Sequence, residues 1–192
     1  MTNQNKVEEI LRETHVLQEG HFLLTSGRHS NQYMQCARLL EYPSHMETVI
    51  QAIVNQMEDQ DIDIVIGPAM GGIIVAYELA RQLKVRNFFA ERVEGEMTLR
   101  RGFEIPKDAK VLIAEDVITT GGSVQEVIDI VKQQGGEVAG VAVLVDRSNG
   151  AVDFGCPLYA AYRAQILSYE AESCPLCEEE GNLSLQKPGS RK

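Results

Sequence analysis

The residues Val111–Ser123 read VLIAEDVITTGGS and place an apolar run, two acids and a glycine-rich turn next to one another. The apolar run is short enough for a buried strand, and the spacing of apolar residues over 124–134 predicts an amphipathic helix after the turn. Thr119–Ser123 therefore stands between a strand and a helix, where hydroxyls, backbone N–H groups and the positive end of the helix dipole favour an anion. We call Thr119–Ser123 the anion-binding loop.

Glu115 and Asp116 end the strand just before the anion-binding loop, although carboxylates repel anions. A ligand with both a phosphate and a sugar diol resolves this conflict, because the loop can hold the phosphate while the carboxylates accept hydrogen bonds from the hydroxyls. Such a ligand is a ribose 5-phosphate. Two acids in surface salt bridges at a strand end are the alternative, but that arrangement does not require the adjoining loop.

The surrounding sequence alternates between strand and helix patterns. A second glycine turn, Gly67–Gly72 (GPAMGG), joins an apolar run at 62–67 to a helical pattern over 72–84. Its glycines allow the backbone to approach a ligand closely; a tight turn without a ligand is the alternative, and the lysine of a Walker loop is missing. Further strands are predicted at 87–92, 138–145 and 157–162. The alternation predicts an α/β fold with a central, mostly parallel sheet flanked by helices.

The N-terminal third has a different pattern from the rest of the chain. Apolar residues at helical spacing predict helices over 3–18 and 44–60. Between them, β-compatible residues over 21–35 flank Ser26-Gly27, which predicts a hairpin or a bent strand.

Composition excludes several classes of function. With 192 residues and 44% hydrophobic content, the chain is long enough for one domain with a sizeable core. A net charge of −10 argues against a nucleic-acid or anionic-membrane surface, and we expect neither partner. The first 20 residues lack a signal-peptide pattern, no stretch reaches the ~20 apolar residues of a membrane span, and four cysteines are too few for a disulfide framework. A cytoplasmic location is expected.

The run Val111–Ser123 resembles the motif with which type I phosphoribosyltransferases bind phosphoribosyl pyrophosphate. The resemblance implies the type I phosphoribosyltransferase fold over residues 1–172, including a small N-terminal hood over about 1–42. It also implies that Glu115 and Asp116 act in catalysis as well as in binding. The residues implied to contact phosphoribosyl pyrophosphate are Ala69, Met70, Gly71, Glu115, Asp116, Val117, Ile118, Thr119, Thr120, Gly121, Gly122 and Ser123.

Further segments resemble the orotate-using branch of this family. These are FLLTSGRHS at 22–30 followed by Tyr33, the GPAMGG turn, Glu91-Arg92 followed by MTLRRGF at 97–103, and LVDR at 144–147. The resemblance implies transfer of the phosphoribosyl group to orotate, with Mg²⁺ held mainly by phosphoribosyl pyrophosphate and with two copies of the chain forming a homodimer. By the same resemblance, Thr119 and Arg147 contact orotate. The alternative for Arg147 is an ion pair with Asp146 or Asp153.

The segment 94–104 departs from the family pattern. It holds two glycines, a charged middle and little apolar area, which indicates a mobile loop that closes over the substrates and can be shared between subunits. Arg92 is kept and is predicted to be catalytic. At four positions where the family has lysines or a histidine, this chain has other residues. These are Val93, Glu96 and Thr98, and Thr25 in the N-terminal segment. Arg101, with Arg100, is the predicted substitute for the missing cations, and an exposed basic turn is the alternative.

The residues 173–192 are polar and predict an irregular tail. Within it, Cys174-Pro-Leu-Cys177 has the spacing of half a zinc site, whose other half a second subunit could supply. Two thiols in a tight proline turn without a metal is the favoured interpretation, because no histidine is near them in the chain.

Two other functions remain open at this stage. One is phosphoribosyl transfer to a purine or another pyrimidine, in which Arg147 would lack the carboxylate that suits it. The other is a non-catalytic regulator that senses phosphoribosyl pyrophosphate and binds nucleic acid, for which this acidic chain offers no basic face.

Overall fold

The computed structural model describes residues 3–24, 26–57, 60–178 and 184–188. Thr25, predicted to replace a lysine, lies outside the described residues. In chain order the elements are α1 (Asn3–Glu13), β1 (Leu17–Leu23), β2 (His29–Met34), a 3-10 helix (Cys36–Glu41), α2 (Pro43–Val54), β3 (Ile64–Pro68), α3 (Gly71–Leu83), β4 (Arg86–Val93), β5 (Glu96–Leu99), β6 (Lys110–Ile118), α4 (Gly122–Gln133), β7 (Glu137–Asp146), β8 (Leu158–Arg163), β9 (Ser168–Tyr169), a 3-10 turn (Ala171–Ser173) and α5 (Pro175–Glu178).

The main sheet has the strand order β5-β4-β3-β6-β7-β8, and all its pairs are parallel except β4 with β5. Its central strands are apolar on both faces because helices cover both: Leu112 and Ala114 of β6 pack in the cluster that includes α1, α2 and α3 residues, whereas Val111 and Ile113 pack with α4. The predicted α/β fold is confirmed. Among the described residues, no helix combines the length and apolar character needed to cross a bilayer, and the cytoplasmic location stays a prediction.

The sheet places the two glycine-containing turns at one edge. After β3 the chain adds β4 on one side and then β6 on the other, so the strand order reverses between β3 and β6. In open α/β sheets this reversal opens a crevice at the carboxyl ends of the strands. The turn from β3 to α3 and the anion-binding loop from β6 to α4 both lie at this edge.

The N-terminal hood is a small antiparallel sheet with the order β1-β2-β9. The predicted hairpin around Ser26-Gly27 is confirmed by the pairing of β1 with β2. The predicted helix over 3–18 was too long, because His15 adopts a positive φ of 56° and Leu17 enters β1. α2 also ends at Val54, earlier than the sequence pattern predicted.

The segment 94–104 is more regular than its composition indicated. Glu94 (φ 52°) and Gly95 (φ 93°) form a tight turn of the kind that joins hairpin strands, and β5 then pairs antiparallel with β4. Phe103 stacks on Phe88 with ring centroids 4.7 Å apart and an angle of 11° between the rings. The sequence did not predict β5, because a four-residue strand is too short to give a readable alternation, and the mobility of 94–104 stays a prediction.

Candidate active site

The two acids lie at the carboxyl end of β6 and are half-buried. Glu115 Oε1 accepts a hydrogen bond of 2.9 Å from the Asp116 backbone N–H. Asp116 Oδ1 accepts one of 2.7 Å from the Val117 backbone N–H. Each carboxylate is therefore oriented by the backbone of the following residue.

Glu115 has a perturbed charge state. Burial raises the pKa of this carboxyl to about 8, and the neighbouring Asp116 carboxylate adds to the increase, while the hydrogen bond from the Asp116 N–H partly opposes it. The raised pKa favours the protonated form of Glu115 in the protein without ligand. The acid pair is then less repulsive toward a phosphate than its formal charge suggests.

The glycine turn Gly67–Gly72 packs directly against the acids. A Cβ atom on Gly71 would lie 2.3 Å from Asp116 Oδ2, and one on Gly72 would lie 3.2 Å from Glu115 Oε1 and 2.9 Å from the Ala114 carbonyl oxygen. Only glycine fits at such distances. Ala69, Met70 and Gly71, all predicted to contact phosphoribosyl pyrophosphate, are thereby brought to the same edge as the acids.

The anion-binding loop opens onto a cavity of about 260 Å³. Gly121 has a φ of 74° and precedes α4, whose first backbone N–H groups have no intrahelical acceptor and suit an anion. A Cβ atom on Gly121 would lie 2.7 Å from Phe154 Cζ, so glycine is required here for space as well as for conformation. The cavity is lined by Arg92, Glu115, Val117, Ile118, Thr119, Thr120, Gly121, Gly122, Ser123, Val124 and Glu126.

Arg92 reaches this cavity from β4. Its Nη2 lies 2.6 Å from Glu126 Oε2, and its Nη1 donates a hydrogen bond of 2.8 Å to the Gly95 carbonyl oxygen. Sequence reasoning missed Glu126, because its position one turn into α4 gives no local sign of a partner on β4. The ion pair fixes the Arg92 guanidinium at the wall of the cavity that Glu115 also lines.

Arg100 and Arg101 are not brought to the cavity. Arg101 Nη2 lies 3.2 Å from Glu91 Oε2, its guanidinium lies 5.6 Å from the centre of the Phe89 ring, and Arg100 lies 3.9 Å from Glu91. The structure thus pairs Arg101 with a local acid, as expected for the exposed basic turn, and its catalytic role stays a prediction. Glu96, at the start of β5, is also exposed and outside the cavity lining.

Arg147 lies at the same sheet edge as the acids. Its backbone N–H donates a hydrogen bond of 2.9 Å to the Ile118 carbonyl oxygen, directly before the anion-binding loop. Within the described residues its buried Nε has no hydrogen-bond partner. Asp146 instead bonds Ser148 and lies 3.7 Å from Arg163, and Asp153 accepts from the Gly155 N–H.

The hood contributes Cys36, which sequence reasoning did not place in the site. Burial raises the pKa of the Cys36 thiol to about 12; the Asp116 carboxylate raises it further and Arg147 opposes the increase. The thiol is therefore neutral, and it lies close enough to feel the charges of both Asp116 and Arg147.

Comparison with known proteins agrees with this geometry. Residues 37–153 match the family model described as the phosphoribosyl transferase domain. The chain is 53% identical over 189 residues to orotate phosphoribosyltransferase of Caldanaerobacter subterraneus subsp. tengcongensis, with 98% of each chain covered. It is 52% identical over 190 residues to the protein of the same name from Caldicellulosiruptor bescii, with 99% of each covered.

Solved structures share the fold. Orotate phosphoribosyltransferase from Aeropyrum pernix matches with a TM-score of 0.71 at 25% identity, covering 83% of this chain and 94% of that one. Adenine phosphoribosyltransferase from Thermoanaerobacter pseudethanolicus matches with a TM-score of 0.59 at 16% identity, covering 69% and 88%. Because enzymes named for different bases share it, the fold alone does not select the base.

Proposed function

Because the chain belongs to the phosphoribosyltransferase family, we propose that it transfers the 5-phosphoribosyl group from phosphoribosyl pyrophosphate to orotate. The products are orotidine 5′-monophosphate and pyrophosphate. The observation that carries the proposal is the placement of Glu115 and Asp116 between the anion-binding loop and the glycine turn. Relatives that are more than half identical over nearly the whole chain support orotate as the base.

Phosphoribosyl pyrophosphate spans both turns in this proposal. The anion-binding loop holds the 5-phosphate through its N–H groups and hydroxyls. Glu115 and Asp116 accept hydrogen bonds from the ribose hydroxyls, and the backbone of Ala69–Gly71 faces the pyrophosphate. The small size of the glycines lets the ligand approach the β3 end as closely as Asp116 already does.

Orotate binds between Thr119 and Arg147. The buried Nε of Arg147 supplies an unused donor, and a guanidinium binds a carboxylate through two parallel hydrogen bonds. Orotate carries such a carboxylate, whereas uracil and the purine bases do not. This pairing therefore makes the site selective for orotate.

Mg²⁺ fits the same edge, because carboxylate and phosphate oxygens are the ligands that it prefers. We assign the ion mainly to the oxygens of phosphoribosyl pyrophosphate, with Glu115 and Asp116 the side chains that could complete its coordination. When bound, Mg²⁺ supplies charge neutralisation for the departing pyrophosphate.

The protein's own side chains stabilise the charges that develop during the reaction and position the substrates. As the bond from the ribose carbon to pyrophosphate breaks, positive charge develops on the ribose ring, and the adjacent acids stabilise it. Arg92, already fixed at the cavity wall, faces the negative leaving group. Thr119 and Arg147 hold orotate so that its N1 forms the new bond at the opposite side of the ribose carbon.

The proposal is tested by following orotate consumption with phosphoribosyl pyrophosphate and Mg²⁺, with uracil, adenine and hypoxanthine run in parallel. We expect turnover with orotate alone. Turnover with another base but not with orotate would assign the chain to a different branch of the family, and no turnover with any base would favour the regulator.

Arg147→Ala is expected to raise the KM for orotate about 30-fold or more, because a charge-assisted bidentate contact contributes roughly 2 kcal/mol or more. The KM for phosphoribosyl pyrophosphate should change little. Steady-state kinetics with each substrate varied in turn measures both. Arg163→Ala, which removes an exposed arginine paired with Asp146, is the matched control, and an equal effect of the two substitutions would contradict the assignment.

Arg101 is proposed to act only when the segment 94–104 closes. Separation of Arg101 from Glu91 costs little free energy, because an exposed ion pair contributes only about 0–1 kcal/mol. Arg101→Ala should then lower kcat about tenfold while the KM for orotate stays within about threefold. Single-turnover measurement of pyrophosphate release checks this, with Glu104→Ala as the control in the same segment; unchanged turnover would leave Arg101 as a partner of Glu91.

A homodimer is proposed from one face of α3. Met70, Ile74 and Tyr77 are spaced four and three residues apart and are 82%, 46% and 62% exposed, which forms an apolar stripe beside the glycine turn. A second copy seated there would lie next to the site. Tyr77→Lys should shift the mass measured by light scattering from dimer to monomer. Leu167→Lys, at an equally exposed apolar residue outside α3, should leave the dimer intact.

A further inference from the structure

Four side chains of types that can bind a metal converge at the hood from two distant parts of the sequence. The ligand atoms of His21, His29, Cys174 and Cys177 all lie within 4.8 Å of one another. His21 Nε2 lies 2.9 Å from His29 Nδ1 and 3.7 Å from each sulfur, and Cys177 Sγ lies 3.3 Å from His29 Nδ1. The sequence indicated only half of such a site, and the structure supplies two histidines from the same chain.

The hood topology explains why these residues meet. β1 and β2 pair antiparallel with Leu23 opposite His29, and the register shifts between Glu19 and Phe22, the part of β1 that contains His21. From this position His21 Nε2 reaches His29 Nδ1. β9 then pairs with β2, with Tyr169 opposite His29. The chain continues through the 3-10 turn Ala171–Ser173 to Cys174, which brings the two cysteines over the histidine face.

We propose that His21, His29, Cys174 and Cys177 bind one Zn²⁺ ion as a structural site. Two imidazoles and two thiolates in a C-x₂-C arrangement are a ligand set that Zn²⁺ takes with tetrahedral geometry. Zinc–nitrogen and zinc–sulfur bond lengths place the corners of such a tetrahedron roughly 3.3–3.8 Å apart. Four of the six separations are 2.9–3.7 Å and all six are within 4.8 Å, so small rotations of the side chains reach this geometry.

Burial favours a closed structural site over a catalytic one. His21, His29 and Cys174 are only 3%, 6% and 2% exposed, and four protein ligands leave no coordination position for a substrate. An imidazole–imidazole hydrogen bond accounts for the contact between His21 and His29. It does not account for two sulfurs that both approach His21 Nε2 to 3.7 Å.

The zinc site ties the C-terminal tail to the hood. On one side of the hairpin, β9 pairs with β2, and Arg28 bonds Ser168 and Glu170. On the other side, the Leu23 N–H donates 2.7 Å to the Gln186 carbonyl oxygen, and the Gln186 N–H donates 2.8 Å to that of His21. Described parts of the tail therefore lie at both edges of the hairpin, and Zn²⁺ fixes the CxxC segment between them.

The first test is the zinc content of the full chain purified without added zinc. We expect about one zinc ion per chain in the wild type and loss of zinc in Cys177→Ser and in Cys174→Ser. Cys177 is exposed, so its replacement disturbs packing least. Cys156→Ser, which alters a cysteine outside the cluster, should retain the metal. Zinc retained at the wild-type level in both cluster variants would overturn the proposal.

A second test does not depend on the folding of any variant. Wild-type protein stripped with a chelator is titrated with Co²⁺, which gives the intense visible absorption of a tetrahedral site with thiolate ligands. Removal of the metal should also lower Tm by several degrees, and Zn²⁺ should restore it. Wild-type protein that contains no zinc, takes up no Co²⁺ and keeps its Tm in chelator would show that the four side chains are joined by hydrogen bonds only.

Discussion

Asp116→Asn is expected to lower kcat/KM for phosphoribosyl pyrophosphate by about 10²–10³-fold, the largest kinetic effect that the site predicts. Asp116 lies against the glycine turn, so close that a methyl group on Gly71 would collide with its Oδ2. The amide keeps the size of the carboxylate but loses the charge-assisted hydrogen bonds to the ribose hydroxyls. It also loses the charge that stabilises the ribose cation.

Steady-state kinetics with phosphoribosyl pyrophosphate as the varied substrate measures this effect. Asp129→Asn is the matched control, because Asp129 is an exposed acid on α4 that accepts a hydrogen bond only from Gln125 among the described residues. The control should stay within about twofold of the wild type. Equal activities of Asp116→Asn and wild type would mean that the ribose hydroxyls bind elsewhere.

The sequence predicted the central strands of the main sheet well because they are apolar on both faces. The Ile64–Pro68 and Val111–Ala114 runs have no polar interruption, and the helices between them repeat apolar residues at three and four positions. β5 was not predicted, because the strand has only four residues, half of them exposed, and lies in a charged segment. The spacing of apolar residues does not predict the positive φ of His15, which ends α1 early.

The active site was predictable where it is local. The acids and the anion-binding loop are contiguous, so their chemistry can be inferred from neighbours in the chain. The pairs that join distant segments were not predictable: Arg92 with Glu126, and the two histidines with the two cysteines about 150 residues later. Spacing along the chain carries no information about such contacts, which the strand register decides.

The charge state of Glu115 leads to an effect on stability that is independent of catalysis. Its pKa rises from an ordinary value of 4.5 to about 8 on folding, so the folded protein binds the proton more tightly than the unfolded chain. The free energy of unfolding therefore falls as the pH rises from about 4.5 to about 8. At ~1.36 kcal/mol per pKa unit, this one group lowers stability by roughly 4 kcal/mol across that window.

Glu115→Gln should remove this pH dependence, because glutamine resembles the protonated acid and does not titrate. Urea denaturation of both proteins without ligand, at intervals from pH 5 to pH 9, measures the difference. We expect similar stabilities near pH 5 and a variant that is more stable than wild type by several kcal/mol near pH 8.5. Glu104→Gln, at an exposed acid, should instead follow the wild type. Parallel curves for wild type and Glu115→Gln would mean that Glu115 is charged at neutral pH, and the anion-binding loop would then face two negative charges.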